Sequence, residues 1–121
     1  MEVINYQDGR PIYEQIVDYY KHLILMGAME TDEQMPSVRS LAVDLATNPN
    51  TVQKAYAQLE REGFIYTVKG RGNFVKENTN LVCARQDEIC NKILELLKEA
   101  KEIGINPKDI LKTASERIGN D

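Results

Sequence analysis

The segment Thr47–Val75, TNPNTVQKAYAQLEREGFIYTVKGRGNFV, begins with Asn48-Pro49-Asn50 and ends in two short apolar runs around Lys69-Gly70-Arg71-Gly72. Asn48 is suited to cap a helix, because its side-chain oxygen can accept from a free N–H of the first turn. Pro49 fits the first helical position, where its missing N–H is no loss. Gly63, just past Leu59-Glu60-Arg61-Glu62, supplies the stop. Between these limits Val52, Tyr56 and Leu59, with Ala55 beside them, form one apolar stripe. Asn50, Thr51, Gln53, Lys54, Ala57, Gln58 and Arg61 therefore face outward. The runs FIYTV and NFV read as two strands of a hairpin whose tip carries Lys69 and Arg71 on either side of Gly70.

Upstream, AMETDEQMP (28–36) is acidic and rich in breakers and reads as a loop. Ser37 is placed to cap a short helix containing Val38, Leu41, Ala42 and Leu45, interrupted at Thr47 and Asn48. An earlier helix is expected from Pro11 to Met26, buried through Ile12, Ile16, Tyr19, Leu23 and Met26 and stopped by Gly27. Two helices joined by a short turn, the second presenting a polar outer face, make a helix-turn-helix, and the basic hairpin adds a wing. From Thr79 the pattern is helical again. Ile89, Ile93, Leu96, Ala100 and Ile103 recur at steps of four and three, and Leu94 and Leu97 widen the face. Gly104 ends that helix, and Asn106-Pro107 starts another with Ile110, Leu111, Ala114 and Ile118. The expected fold is mostly α with a small β-hairpin: a winged helix-turn-helix over residues 1–76 and a helical hairpin over 77–121.

The 121 residues carry a net charge of −4, but the cations are not spread evenly. Residues 34–76 hold six of them (Arg39, Lys54, Arg61, Lys69, Arg71, Lys76) against Asp44, Glu60 and Glu62. This local excess is the footprint of a nucleic-acid surface on an otherwise acidic chain. No apolar run is long enough for a membrane span and no signal peptide is evident, so a cytoplasmic protein is expected. Cys83 and Cys90 are the only cysteines and read as small hydrophobes in a reduced compartment; with the lone His22 far from both, no metal site is expected. The carboxylates form no acid–base pair and no nucleophile has a recognisable partner, so neither catalysis nor a cofactor is expected.

Double-stranded DNA is the partner that the outer face suits. Asn and Gln can bond an adenine edge bidentately, a Thr methyl can pack on a thymine methyl, and Lys can reach guanine or phosphate. Arg39, with Ser37 at the start of its helix, is placed for phosphate. PIYEQI (11–16), MPSVRSLA (35–42), NPNTVQKAYAQLEREGFI (48–65) and GRGNFV (70–75) together resemble the GntR family of bacterial transcription regulators. The short helical tail is similar to that of its YtrA subfamily. The resemblance implies DNA contact through Arg39 and base reading by Asn50, Thr51, Gln53 and Lys54, and it implies regulation of neighbouring transport genes.

A single winged helix contacts few bases, so a repressor acting as a homodimer on an inverted-repeat operator is expected. The tail, through Ile89, Ile93, Leu94, Leu96, Leu97, Ala100, Ile103, Ile110, Leu111 and Ala114, is the expected dimerisation element. A dimer interface of this kind has room for a small apolar effector, which the sequence does not identify. A winged helix serving as a protein-interaction adaptor is the alternative. The polar start of the recognition helix and the local cationic excess weigh against it.

Overall fold

Helix α3 (Pro49–Arg61) is set by its ends. The Asn48 side chain accepts from the Asn50 N–H at 2.8 Å. At the other end Gly63 adopts φ +84°, and the Phe64 N–H returns to the Leu59 carbonyl at 2.9 Å. Val52, Ala55, Tyr56 and Leu59 are all buried. The computed structural model describes residues 4–119, and the chain divides into two compact units, one ending at Leu81 and one beginning at Val82.

In the first unit α3 packs against α1 (Ile12–Leu25) and α2 (Val38–Asp44). Helix α1 starts one residue later than expected, with Pro11 as its extended N-cap. Its buried face is also rotated: Ile16, Val17, Tyr20 and Ile24 enter the core, Ile12, Tyr19 and Leu23 are only partly buried, and Met26 is 61 % exposed. The stripe 12-16-19-23-26 averages 3.5 residues per turn and drifts around a straight helix. Apolar residues occupy so much of this helix that periodicity alone does not locate the centre of its buried face. Gln15 is buried beside this core with both ends of its amide used. It donates to the Arg10 carbonyl at 3.1 Å and accepts from the Asn5 N–H at 2.7 Å, as a buried polar group must.

Strands β1 (Ile65–Val68) and β2 (Gly72–Val75) pair antiparallel, with Tyr66 opposite Phe74. The stretch expected to be a plain loop supplies the outer edge of β2. The Met35 N–H donates to the Asn73 carbonyl at 2.8 Å, the Val75 N–H to the Glu33 carbonyl at 2.9 Å and the Asp32 N–H to the Val75 carbonyl at 2.7 Å. Backbone groups on that edge need partners, and buried Met35 anchors the segment that provides them. The Tyr66 hydroxyl adds a bond to the Asp32 carboxylate at 2.7 Å.

Helix α4 (Thr79–Glu102) begins in the first unit, where Leu81 packs on the core, and runs on as the first helix of the second; Gly104, at φ +85°, follows its end. The Asn106 side chain accepts from the Lys108 N–H at 2.9 Å and opens α5 (Pro107–Gly119). Ile93, Leu96, Leu97 and Ala100 of α4 face Ile110, Leu111 and Ala114 of α5 across an apolar cavity of about 230 Å³. The hairpin does not close over its own apolar face: Leu96 is 65 % exposed and Ile103 is 70 % exposed.

Lys21 of α1 bonds Glu62 at 2.7 Å, joining α1 to the end of α3. Partial burial alone would raise the Glu62 carboxyl. The hydrogen bonds from Lys21 and Gln58 outweigh it and hold the group below its ordinary 4.5. A depressed carboxyl stabilises the fold above 4.5, and the contribution fades as pH falls through the lower folded value. Lys21→Met is therefore expected to cost up to about 1 kcal/mol near neutrality, with the deficit disappearing in acid, as read by urea unfolding at stepped pH. A deficit that persists in acid would mean that Lys21 acts mainly through the Phe64 ring, 5.5 Å from its ammonium.

Candidate nucleic-acid interface

The start of α2 is fastened twice. The Ser37 hydroxyl accepts from the Ser40 N–H at 3.1 Å, and the carbonyl of Pro36 accepts from the Tyr56 hydroxyl of α3 at 2.8 Å. Ser37 is thus engaged as a cap, while Arg39, two residues on, is exposed. Between the helices Ala46 takes φ +50° and the Thr47 N–H returns to the Ala42 carbonyl at 2.9 Å, closing α2 just before the Asn48 cap.

On α3 the side chains of Asn50, Gln53 and Lys54 are exposed and Thr51 is half-buried. Among the described residues the Asn50 and Gln53 amides have no side-chain hydrogen bond to the protein. They are left with donors and acceptors to offer. Lys54 differs: its ammonium lies 3.9 Å from the centre of the Tyr13 ring, so a cation–π contact draws it towards α1. Nothing in the local pattern around Lys54 reveals this, because the ring comes from forty-one residues earlier in the chain.

At the wing tip Lys69, Gly70 and Arg71 are exposed. The Arg71 N–H donates to the Val68 carbonyl at 2.9 Å, and the Arg71 carbonyl accepts from the Gln34 side-chain amide at 3.1 Å. Gly72 follows at φ +121°, and a Cβ there would sit 3.3 Å from the Gln34 Nε2. Gln34 and Tyr13 both escaped sequence reasoning; a weak signal for the first was Gln34 next to an apolar Met35 in a segment otherwise dominated by acids. Of the expected tail residues, Ile93, Leu96, Leu97, Ala100, Ile110, Leu111 and Ala114 meet at the cavity, whereas Ile89, Leu94 and Ile103 lie outside its lining. Cys83 and Cys90 are free and exposed. No helix among the described residues is long and apolar enough to cross a membrane.

A helix-turn-helix with exposed polar side chains at the start of its second helix and a cationic wing defines a winged-helix DNA-binding protein. Residues 12–75 match the profile of the bacterial regulatory proteins of the gntR family. The HTH-type transcriptional repressor YtrA of Bacillus subtilis (strain 168) is 43 % identical over 104 residues, which cover 84 % of this chain and 80 % of that protein. A GntR family transcriptional regulator from Listeria monocytogenes is 36 % identical with a TM-score of 0.70, covering 90 % of this chain and 96 % of its own. The DNA-binding domain of AraR in complex with operator ORE1 is 26 % identical with a TM-score of 0.53, over 60 % of this chain and 88 % of its own. The chain belongs to the GntR family, and within it to the YtrA-like regulators. It is a DNA-binding transcriptional regulator and not an enzyme.

Because Asn48 caps the helix through its side-chain oxygen alone, Asn48→Ala is expected to lower stability by about 1 kcal/mol, and Asn48→Asp is expected to keep it. Urea unfolding of the three proteins checks both; equal losses would mean that the cap is not the source.

Proposed function

We propose that the chain is a repressor that binds an inverted-repeat DNA operator as a homodimer. Residues 1–76 supply the reading head and residues 77–121 the dimer contact. The observation that carries the reading is the exposed, unengaged pair of Asn50 and Gln53 amides near the start of α3. Amides in that position can take an adenine edge in a major groove. Thr51 and Lys54 extend the reading face. Arg39, Ser37 and the wing residues Lys69, Gly70 and Arg71 hold phosphates or the neighbouring minor groove. The name of the Bacillus subtilis relative supports repression, and the AraR complex supports operator binding.

The tail supports the dimer. Ile89, Ile93, Leu96, Ala100 and Ile103 follow a heptad-like spacing, and α5 leaves much of that seam uncovered. A second tail would bury it and tether two reading heads over adjacent half-sites. Its apolar cavity suits a small apolar effector. By analogy with the subfamily, the regulated genes are neighbouring transport genes and the regulator works in the cytoplasm.

Gln53→Ala is expected to weaken the preferred duplex by about 1–3 kcal/mol and to leave mixed-sequence duplex nearly unchanged. Arg39→Ala should instead weaken every duplex and reduce the salt slope by about 1 per subunit. Fluorescence titrations across a salt series separate the two, and equal losses for Gln53→Ala on both duplexes would remove its base-reading role.

Light scattering should find the wild-type protein dimeric at micromolar concentration and Ile103→Glu shifted to monomer. Affinity for the whole operator should then fall by about two to four orders of magnitude, while affinity for an isolated half-site is kept. A monomeric wild type, or an Ile103→Glu and Leu96→Glu pair that both stay dimeric, would contradict the role of the tail.

A further inference from the structure

The geometry points to Gln34 as a positioning residue of the DNA surface: by holding the peptide from which Arg71 springs, it sets the direction in which the wing cation meets the duplex. This rests on the proposed contact of the wing with DNA.

A three-residue tip is the least constrained part of a hairpin, and a long cation at such a tip samples many directions before it meets a phosphate. Ordering it on binding costs entropy, and restraints already present in the free protein reduce that cost. Arg71 has such restraints on both sides of its own residue. Its N–H is tied across the tip to Val68, and its carbonyl accepts from the Gln34 side chain at 3.1 Å.

The donor is itself well anchored. Gln34 pairs with Phe74, its neighbours Glu33 and Met35 bond Val75 and Asn73, and Met35 is buried. On its way to Arg71 the amide passes close to Gly72, where an added Cβ would fall 3.3 Å from Gln34 Nε2. The Arg71 guanidinium is exposed and, among the described residues, makes no ion pair. The backbone is therefore fixed while the charge stays available. Gln34 does this from the connection between α1 and α2, so the wing tip is registered to the segment that leads into Ser37 and Arg39.

The test is a double-mutant cycle on the full chain, binding a labelled mixed-sequence duplex at low salt, with thermal unfolding of each protein alongside. Gln34→Met keeps the length of the side chain and removes its donor. It is expected to weaken binding about two- to tenfold, the size of one lost hydrogen bond. In an Arg71→Ala background the same change should have no effect.

Arg71→Ala is expected to weaken binding and flatten the salt slope. If Arg71→Ala changes neither, the wing does not contact DNA, and both the wing assignment and the role of Gln34 fall. If Arg71→Ala weakens binding but Gln34→Met does not, only the positioning role falls. A Gln34→Met loss of equal size in both backgrounds would also overturn it, showing that Gln34 acts on DNA or on wing stability without Arg71.

Discussion

Tyr56 is where the three helices of the reading head meet. Its ring is 1 % exposed and stands edge-on to Tyr20 of α1 with centroids 6.2 Å apart, while its hydroxyl bonds the carbonyl just before α2. Burial pushes both phenols up, Tyr20 to about 12 and Tyr56 further, so neither ionises under ordinary conditions. A large side chain with one polar end fixes both a distance and an angle. The distance is that between α3 and α1, and the angle is that at which the chain enters α2. The outer face of α3 can protrude because its inner face is held this firmly.

In the proposed reading, a chain with a net charge of −4 meets DNA through placement of charge. The cations of the reading head stand on rigid supports: Arg39 on the capped first turn of α2, Arg71 between two backbone bonds, Lys54 over an aromatic ring. The acidic residues of the α1–α2 connection are used locally, as with Asp32 and Tyr66. The tail follows the opposite logic. It leaves apolar surface uncovered, and a lone chain gains nothing from Leu96 and Ile103 in water.

Helix α3 was legible in the sequence because an Asn-Pro start, a Gly stop and a four-residue apolar stripe all act within the helix itself. The same local signals made α5 and the hairpin legible. The centre of the α1 face was not, since Val17, Tyr20 and Ile24 compete with Ile12, Tyr19, Leu23 and Met26 and only packing against α3 decides. The strand-like edge at Asp32–Met35 was hidden for a related reason: its partners lie about forty residues downstream, and four residues are too few to display a period. For the candidate site, the exposure of Asn50, Gln53 and Lys54 followed from the stripe opposite them. Their supports, Tyr13 beneath Lys54 and Gln34 beneath Arg71, are long-range contacts that no spacing rule contains.

The central claim is that two such reading heads, joined through their tails, recognise one symmetric DNA site. Selecting bound sequences from a random duplex pool with the purified full chain tests it most directly. The account predicts recovery of an inverted repeat with fixed half-site spacing, and loss of the paired arrangement, with single half-sites retained, when Ile103→Glu is used. Recovery of unpaired or direct-repeat sequences by the wild-type chain, or of no shared sequence at all, would contradict it.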